Sequence, residues 1–120
     1  MQYLLMVYLD GKRWTGLSIE ERNQVHADCT KWHDDLTQRG ISKGAMALQP
    51  PATSTTVKED SGNICVVDGP YAETKEVLGG FEIVECQNLD EAIAIAKRFP
   101  ALRVGTLMEV RPLVDGPCRD

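Results

Sequence analysis

The stretch Tyr3-Leu4-Leu5-Met6-Val7-Tyr8-Leu9 constrains the fold more than any other part of the chain. Read as a strand over residues 2–10, it puts Tyr3, Leu5, Val7 and Leu9 on one face and Leu4, Met6 and Tyr8 on the other. Both faces are apolar, whereas a strand with one side in water alternates apolar with polar. This strand is therefore expected in the middle of a sheet, covered twice. It is far shorter than the roughly 20 residues of a membrane helix. It also lacks the basic start and small-residue cleavage site of a signal peptide. A cytoplasmic protein with no membrane partner is expected.

The remaining elements follow from caps and breakers. Asp10-Gly11-Lys12 turns the chain away from the first strand. Ser18 and Glu21 have the spacing of a capping box, which starts a helix running to about Arg39 before Gly40. Val25, Cys29, Trp32 and Leu36 form its apolar stripe. A strand over 43–49 ends at Pro50-Pro51. Thr53–Lys58 and Ile64–Val67 read as the arms of a hairpin turning at Asp60-Ser61-Gly62-Asn63. A polar segment, Tyr71–Leu78, leads to a strand over Phe81–Cys86. Asn88 and Glu91 suggest a second capping box, and the last strand covers Thr106–Leu113. Residues 1–113 form one domain, and 114–120 read as a tail. The tetrapeptide Val-Asp-Gly-Pro occurs at 67–70 and again at 114–117, which with no longer self-similarity is chance or a shared turn.

The order is thus β-α-β, an inserted hairpin, then β-α-β, an α+β pattern. Right-handed crossovers place both helices on the same face of the sheet. The other face of the first strand is apolar too, so something else must cover it. The simplest cover is a second copy of the chain, and a homodimer is expected.

Charge narrows the partners. Eighteen Asp and Glu against thirteen Lys and Arg give a formal net charge of −5, which disfavours nucleic acid. The four cysteines, Cys29, Cys65, Cys86 and Cys118, form no C-x-x-C pair and are expected to be reduced thiols. There is no Gly-rich phosphate loop, serine elbow or HExxH motif, so no cofactor is expected.

The run Asp68-Gly69-Pro70-Tyr71-Ala72-Glu73-Thr74-Lys75-Glu76, followed by Leu78-Gly79-Gly80-Phe81, resembles the signature of the DGPF-domain family within the YCII-related superfamily. Leu89-Asp90-Glu91-Ala92 and Glu109-Val110-Arg111-Pro112-Leu113 add to the likeness, which spans nearly the whole chain. Tyr71 replaces the Phe of the family's name. The resemblance implies a ferredoxin-like βαββαβ sandwich with an inserted hairpin, two copies pairing sheet to sheet as a dimeric α/β barrel. It also implies the company of an extracytoplasmic-function sigma factor. The broader superfamily has a proposed His–Asp pair with its histidine on the first helix. Counted back from Gly40 that register falls near Cys29, with His26 one turn earlier and His33 one turn later.

Three groups of residues could carry chemistry. In the first, Gly69-Pro70 fixes a turn that could hold Asp68 as a base at a strand end. Tyr71, Glu73, Thr74, Lys75 and Glu76 would then wall a substrate site; in the structural alternative Asp68 only caps its own turn. In the second, His26, Cys29 and His33 share one helix side. With no carboxylate or fourth ligand specified, no metal is expected there, and His26 is kept as an acid–base candidate. In the third, Glu85, Glu109 and Arg111 could face a cavity, with Arg111 as an anion partner, or be surface pairs. The preferred function is binding of a small organic molecule in a dimer cavity, with cofactor-independent acid–base chemistry. The alternative is a non-catalytic accessory module for a sigma factor.

Overall fold

The structure is a computed structural model that describes residues 1–117; Cys118 and the end of the 114–120 tail lie outside the described residues. The chain runs β1 (Gln2–Asp10), α1 (Gly11–Thr15), α2 (Ile19–Gln38), β2 (Ser42–Ala47), β3 (Thr55–Asp60), β4 (Asn63–Asp68), β5 (Glu76–Glu85), α3 (Leu89–Lys97) and β6 (Leu107–Pro112). Two 3₁₀ turns, Pro51–Thr53 and Pro100–Val104, join them.

β1 takes the central place its sequence demands. It lies between β5 and β6, antiparallel to both, in a sheet ordered β2-β5-β1-β6. This is the ferredoxin-like α+β arrangement. Residues directly opposite each other share a face. Tyr3 opposite Val84 and Leu5 opposite Glu82 and Val110 therefore define one face, which packs on Leu36 of α2 and Ala92 of α3. Leu5 and Val84 have no exposed surface and anchor this core. Leu4, Met6 and Tyr8 lie on the opposite face with Ile83, Phe81 and Leu107, and among the described residues no helix packs there.

The local signals act as expected, with shifts at the ends. At the start of α2 the Ser18 hydroxyl accepts from the Glu21 amide at 3.1 Å, and Glu21 accepts from the Ser18 amide at 3.2 Å. Gly40 takes φ 71°, the left-handed conformation that ends a helix. The turn expected at Asp10-Gly11-Lys12 instead opens α1, because the Asp10 carboxylate accepts from the Lys12 and Arg13 amides. At α3, Asn88 accepts from the Glu91 amide at 3.0 Å, but Glu91 accepts from Gln87, one residue upstream of the box position. β5 begins at Glu76, well before Phe81, because the Tyr8–Asp10 end of β1 pairs with Glu76–Leu78. Gly69 and Gly116, the glycines of the repeated Val-Asp-Gly-Pro, both have positive φ.

The inserted hairpin stands apart. β3 and β4 form their own two-stranded sheet, turning at Ser61 (φ 51°) and Gly62 (φ 82°). Val57, Val66 and Ile64 share one of its faces and are each about two-thirds exposed, at 65%, 69% and 70%. The projecting hairpin helps to raise the radius of gyration to 16.4 Å, against about 13–14 Å for a compact domain of this length.

Leu5→Ala should lower unfolding free energy by about 2–5 kcal/mol, the usual range for a fully buried leucine. Val66→Ala, on the free hairpin face, should change it by less than about 0.5 kcal/mol. Urea unfolding of the two variants beside the parent chain checks both; equal losses would contradict this division into core and arm.

Candidate functional site

On the helix-covered face of β5, Gly80, Glu82 and Val84 alternate inward. Glu82 is therefore a carboxylate inside the apolar core, 4% exposed. Such a group is tolerated only when its oxygens receive hydrogen bonds. Two neighbours supply them. His33 of α2 brings Nδ1 to 2.9 Å from Glu82 Oε1 and 3.0 Å from Oε2. The Ser42 hydroxyl, at the start of β2, donates to Oε1. Two hydrogens thus converge on an acceptor-only group, which places the ring hydrogen of His33 on Nδ1. The opposite nitrogen, Nε2, has one loose neighbour, Thr37 Oγ1 at 3.4 Å. The Thr37 hydroxyl is itself donated to the His33 carbonyl at 3.0 Å, so it does not occupy Nε2.

Glu82 and His33 lie on the wall of a cavity of about 740 Å³ between α2 and the sheet. Val7, Ala45, Ala47, Val77 and Gly80 contribute its sheet side. Trp14, His26, Cys29 and Trp32 line the side of α1 and α2, and Phe99 and Ala101 close one end. Trp32 is fixed by its indole N–H, which donates to the Ile95 carbonyl at 3.2 Å, and by an edge-on contact with Phe99 at 5.0 Å. His26 stands edge-on to Trp14 at 5.1 Å and is exposed. Burial pushes the Cys29 thiol above its ordinary value of 9.0, so it is a poor nucleophile near neutral pH.

Two glycines shape the cavity edge. The register slips by one residue between Val7 and Tyr8, leaving Gly79 as the extra residue of a bulge. A side chain at Gly79 would run into the Leu9 side chain, and one at Gly80 would meet the Met46 carbonyl at 2.8 Å.

The other residues singled out from sequence lie elsewhere. Asp68, Tyr71, Glu73, Thr74 and Lys75 are exposed at the base of the hairpin, with Tyr71 at 91%, and Glu76 begins β5. None of them lines this cavity. The turn is held by backbone bonds, Gly69 N–H to Ser54 O at 2.7 Å and Thr56 hydroxyl to Gly69 O at 2.8 Å. Glu85, Glu109 and Arg111 are on the helix-free face. There Arg111 pairs with Glu109 at 2.9 Å, and Glu85 lies 3.7 Å from the N-terminal amine. Of the three groups only the second, His26, Cys29 and His33, lines the cavity. Glu82 and Ser42 carry no local mark in the sequence. Their signal was weak, because Glu82 sits in a strand whose two faces both look apolar.

Asp28, one residue before Cys29, ties α2 to the Pro100–Val104 turn through Arg103 at 2.7 Å. The bond from Arg103 holds the Asp28 carboxyl below its ordinary 3.8. A lowered folded value means that this link stabilises the fold above pH 3.8 and is lost as pH falls through the lowered value. Asp28→Asn should therefore be less stable than the parent near neutral pH and equal to it in strong acid. Urea melts at the two pH values test this; a gap that does not close would assign the loss to something other than the Asp28 charge.

Comparison with known proteins fits this fold. The model of the YCII-related domain matches residues 1–115. An uncharacterized protein of Rhizobium meliloti (strain 1021) is 33% identical over 114 residues, covering 94% of this chain and 92% of its own. Among solved structures, a 5-chloro-2-hydroxyhydroquinone dehydrochlorinase from Burkholderia phenoliruptrix AC1100, in complex with 2,5-dihydroxybenzoquinone, superposes with a TM-score of 0.55. It covers 97% of this chain and 96% of its own at 16% identity, a likeness of fold.

Proposed function

The chain belongs to the YCII-related domain family, and on that premise we propose that it binds a small organic molecule in the cavity under α2 and moves a proton on it with His33. The observation that carries this reading is the contact of His33 Nδ1 with the buried Glu82 carboxylate, 2.9 Å away on the cavity wall. Glu82 orients the imidazole and fixes its tautomer, leaving the Nε2 lone pair to accept a proton from a ligand. When Nε2 takes that proton, the adjacent carboxylate stabilises the imidazolium. Trp14, Trp32 and Phe99 supply the apolar surface that holds the ligand and excludes water. The Burkholderia neighbour, solved with a quinone, supports small-molecule binding on this fold. The Asp68–Glu76 run supports placing the chain in the DGPF branch.

A library of small organic molecules, screened by thermal shift, should give ligands of the parent chain that exchange a proton with deuterated solvent or are converted. His33→Ala should slow that reaction by about 10²–10⁴-fold while leaving binding within a few-fold. Glu82→Gln should slow it too, by allowing the other tautomer. Equal rates in parent and His33→Ala would remove His33 from the chemistry.

The working unit in this reading is a homodimer formed through the helix-free face. Leu4, Tyr8, Phe81 and Ile83 are half-buried there beside exposed Leu107 and Met46, an apolar surface that a second copy would cover. Light scattering at micromolar concentration should give twice the chain mass, and Ile83→Lys should return it to one. A single-chain mass for the parent protein would refute this.

A further inference from the structure

We propose that the cavity is selective by charge: it takes uncharged apolar molecules of aromatic size and rejects carboxylates, phosphates and sulfonates. This rests on the reading above that the ligand occupies the cavity under α2. The argument is an inventory of charge. Among the described residues that line the cavity none is Lys or Arg, and its ionisable groups are His26, Cys29, His33 and Glu82. Glu82 is a carboxylate shielded from water, so its field inside the cavity is screened little. With His33 neutral the pair carries one negative charge, and with His33 protonated it carries none. In neither state does the pair offer the net positive charge that binds an anion.

Two helix N-termini are already capped. Gly11, the first residue of α1, lines the cavity, and the amides that follow it would be ready donors for an anion. The Asp10 carboxylate already accepts from two of them, those of Lys12 and Arg13. The N-terminus of α2 is closed in the same way by Ser18 and Glu21. His26 is exposed, so any charge on it is screened by solvent. The Glu82 oxygens already accept from His33 and Ser42. What remains for recognition is aromatic and aliphatic surface with uncharged polar groups, Thr15, Thr30, Gln49 and Thr106, beside His33 Nε2. That set fits a neutral ring compound bearing a weakly acidic O–H or C–H.

Two dyes with one skeleton test this: N-phenyl-1-naphthylamine, which is uncharged, and 8-anilinonaphthalene-1-sulfonate, which adds a sulfonate. Both are titrated into the parent chain and followed by energy transfer from Trp14 and Trp32, the chain's two tryptophans, both on the cavity wall. The neutral dye should bind at least tenfold more tightly. Because it is also the more apolar dye, the ratio must respond to charge. Glu82→Gln should narrow it at least threefold. Leu48→Lys, at an exposed rim position, should tighten sulfonate binding at least threefold and narrow the ratio. Equal affinities in the parent, or an unchanged ratio in both variants, would overturn the charge selection while leaving the cavity in place. Transfer to neither dye would overturn the cavity as a binding site, and this proposal with it.

Discussion

The rest of the site depends on one buried carboxylate. Glu82 sits opposite Leu5 on the core side of β5, where every neighbour in register is apolar. A bare carboxylate there costs several kcal/mol, even after the surroundings relax. The cost is met by hydrogen bonds from two elements far away in sequence, His33 on α2 and Ser42 on β2. The three groups therefore fix more than their own geometry. They set the height and rotation of α2 over the β5–β2 side of the sheet, because moving the helix would strand the charge. An apolar residue at position 82 would leave α2 free to settle by packing alone, and it would leave His33 without a defined tautomer.

The cavity follows from what lies beside this link. α2 is 20 residues long, yet among them only Val25 and Leu36 are buried, and Cys29 and Trp32 between them stay half-buried. Beneath that gap the sheet offers Gly80, Ala45 and Ala47, side chains too small to fill the space. Gly80 has little choice, since any larger residue would strike the Met46 carbonyl. Large rings stand round the edges instead, with Trp14 on α1 and the Trp32–Phe99 pair at the far side. Small residues under a helix propped up by aromatics and by a hydrogen-bonded dyad leave space that packing would otherwise remove.

How much of this could be read from the sequence depends on the range of the signal. The two-sided strand, the Ser18–Glu21 cap, the stripe from Val25 to Leu36 and the turn at Ser61-Gly62 depend on neighbours a few residues apart, and each is legible. The dyad is not, because it joins positions 33, 42 and 82, which only the sheet register brings together. His33 lies four residues from Cys29, so its place beside the stripe was visible, but nothing local marks it above His26. Glu82 was hidden for a different reason. Phe81 and Ile83 on one side and Val84 on the other make both faces of β5 look apolar, and the charge then reads as incidental. The 68–76 run, by contrast, is locally conspicuous, and it lies in a turn held mainly by backbone hydrogen bonds.

β5 ties the two faces of the sheet to two different tasks. Gly80, Glu82 and Val84 serve the cavity and core, while Phe81, Ile83 and Glu85 serve the helix-free face, where the proposed second copy would sit. Because side chains alternate strictly, a slip of one residue against β1 would exchange the two sets. It would expose Glu82 on the helix-free face and drive Ile83 into the space under α2. The register must therefore be strongly held, and the core pairs Tyr3 with Val84 and Leu5 with Glu82 hold it. The bulge at Gly79 absorbs the one irregularity between the cavity edge and the polar start of the strand. Beyond it Leu9 and Val77 return to the helix side, so the apolar floor continues past the break. A single extra glycine thus lets one strand turn away toward the hairpin without changing which residues the site receives.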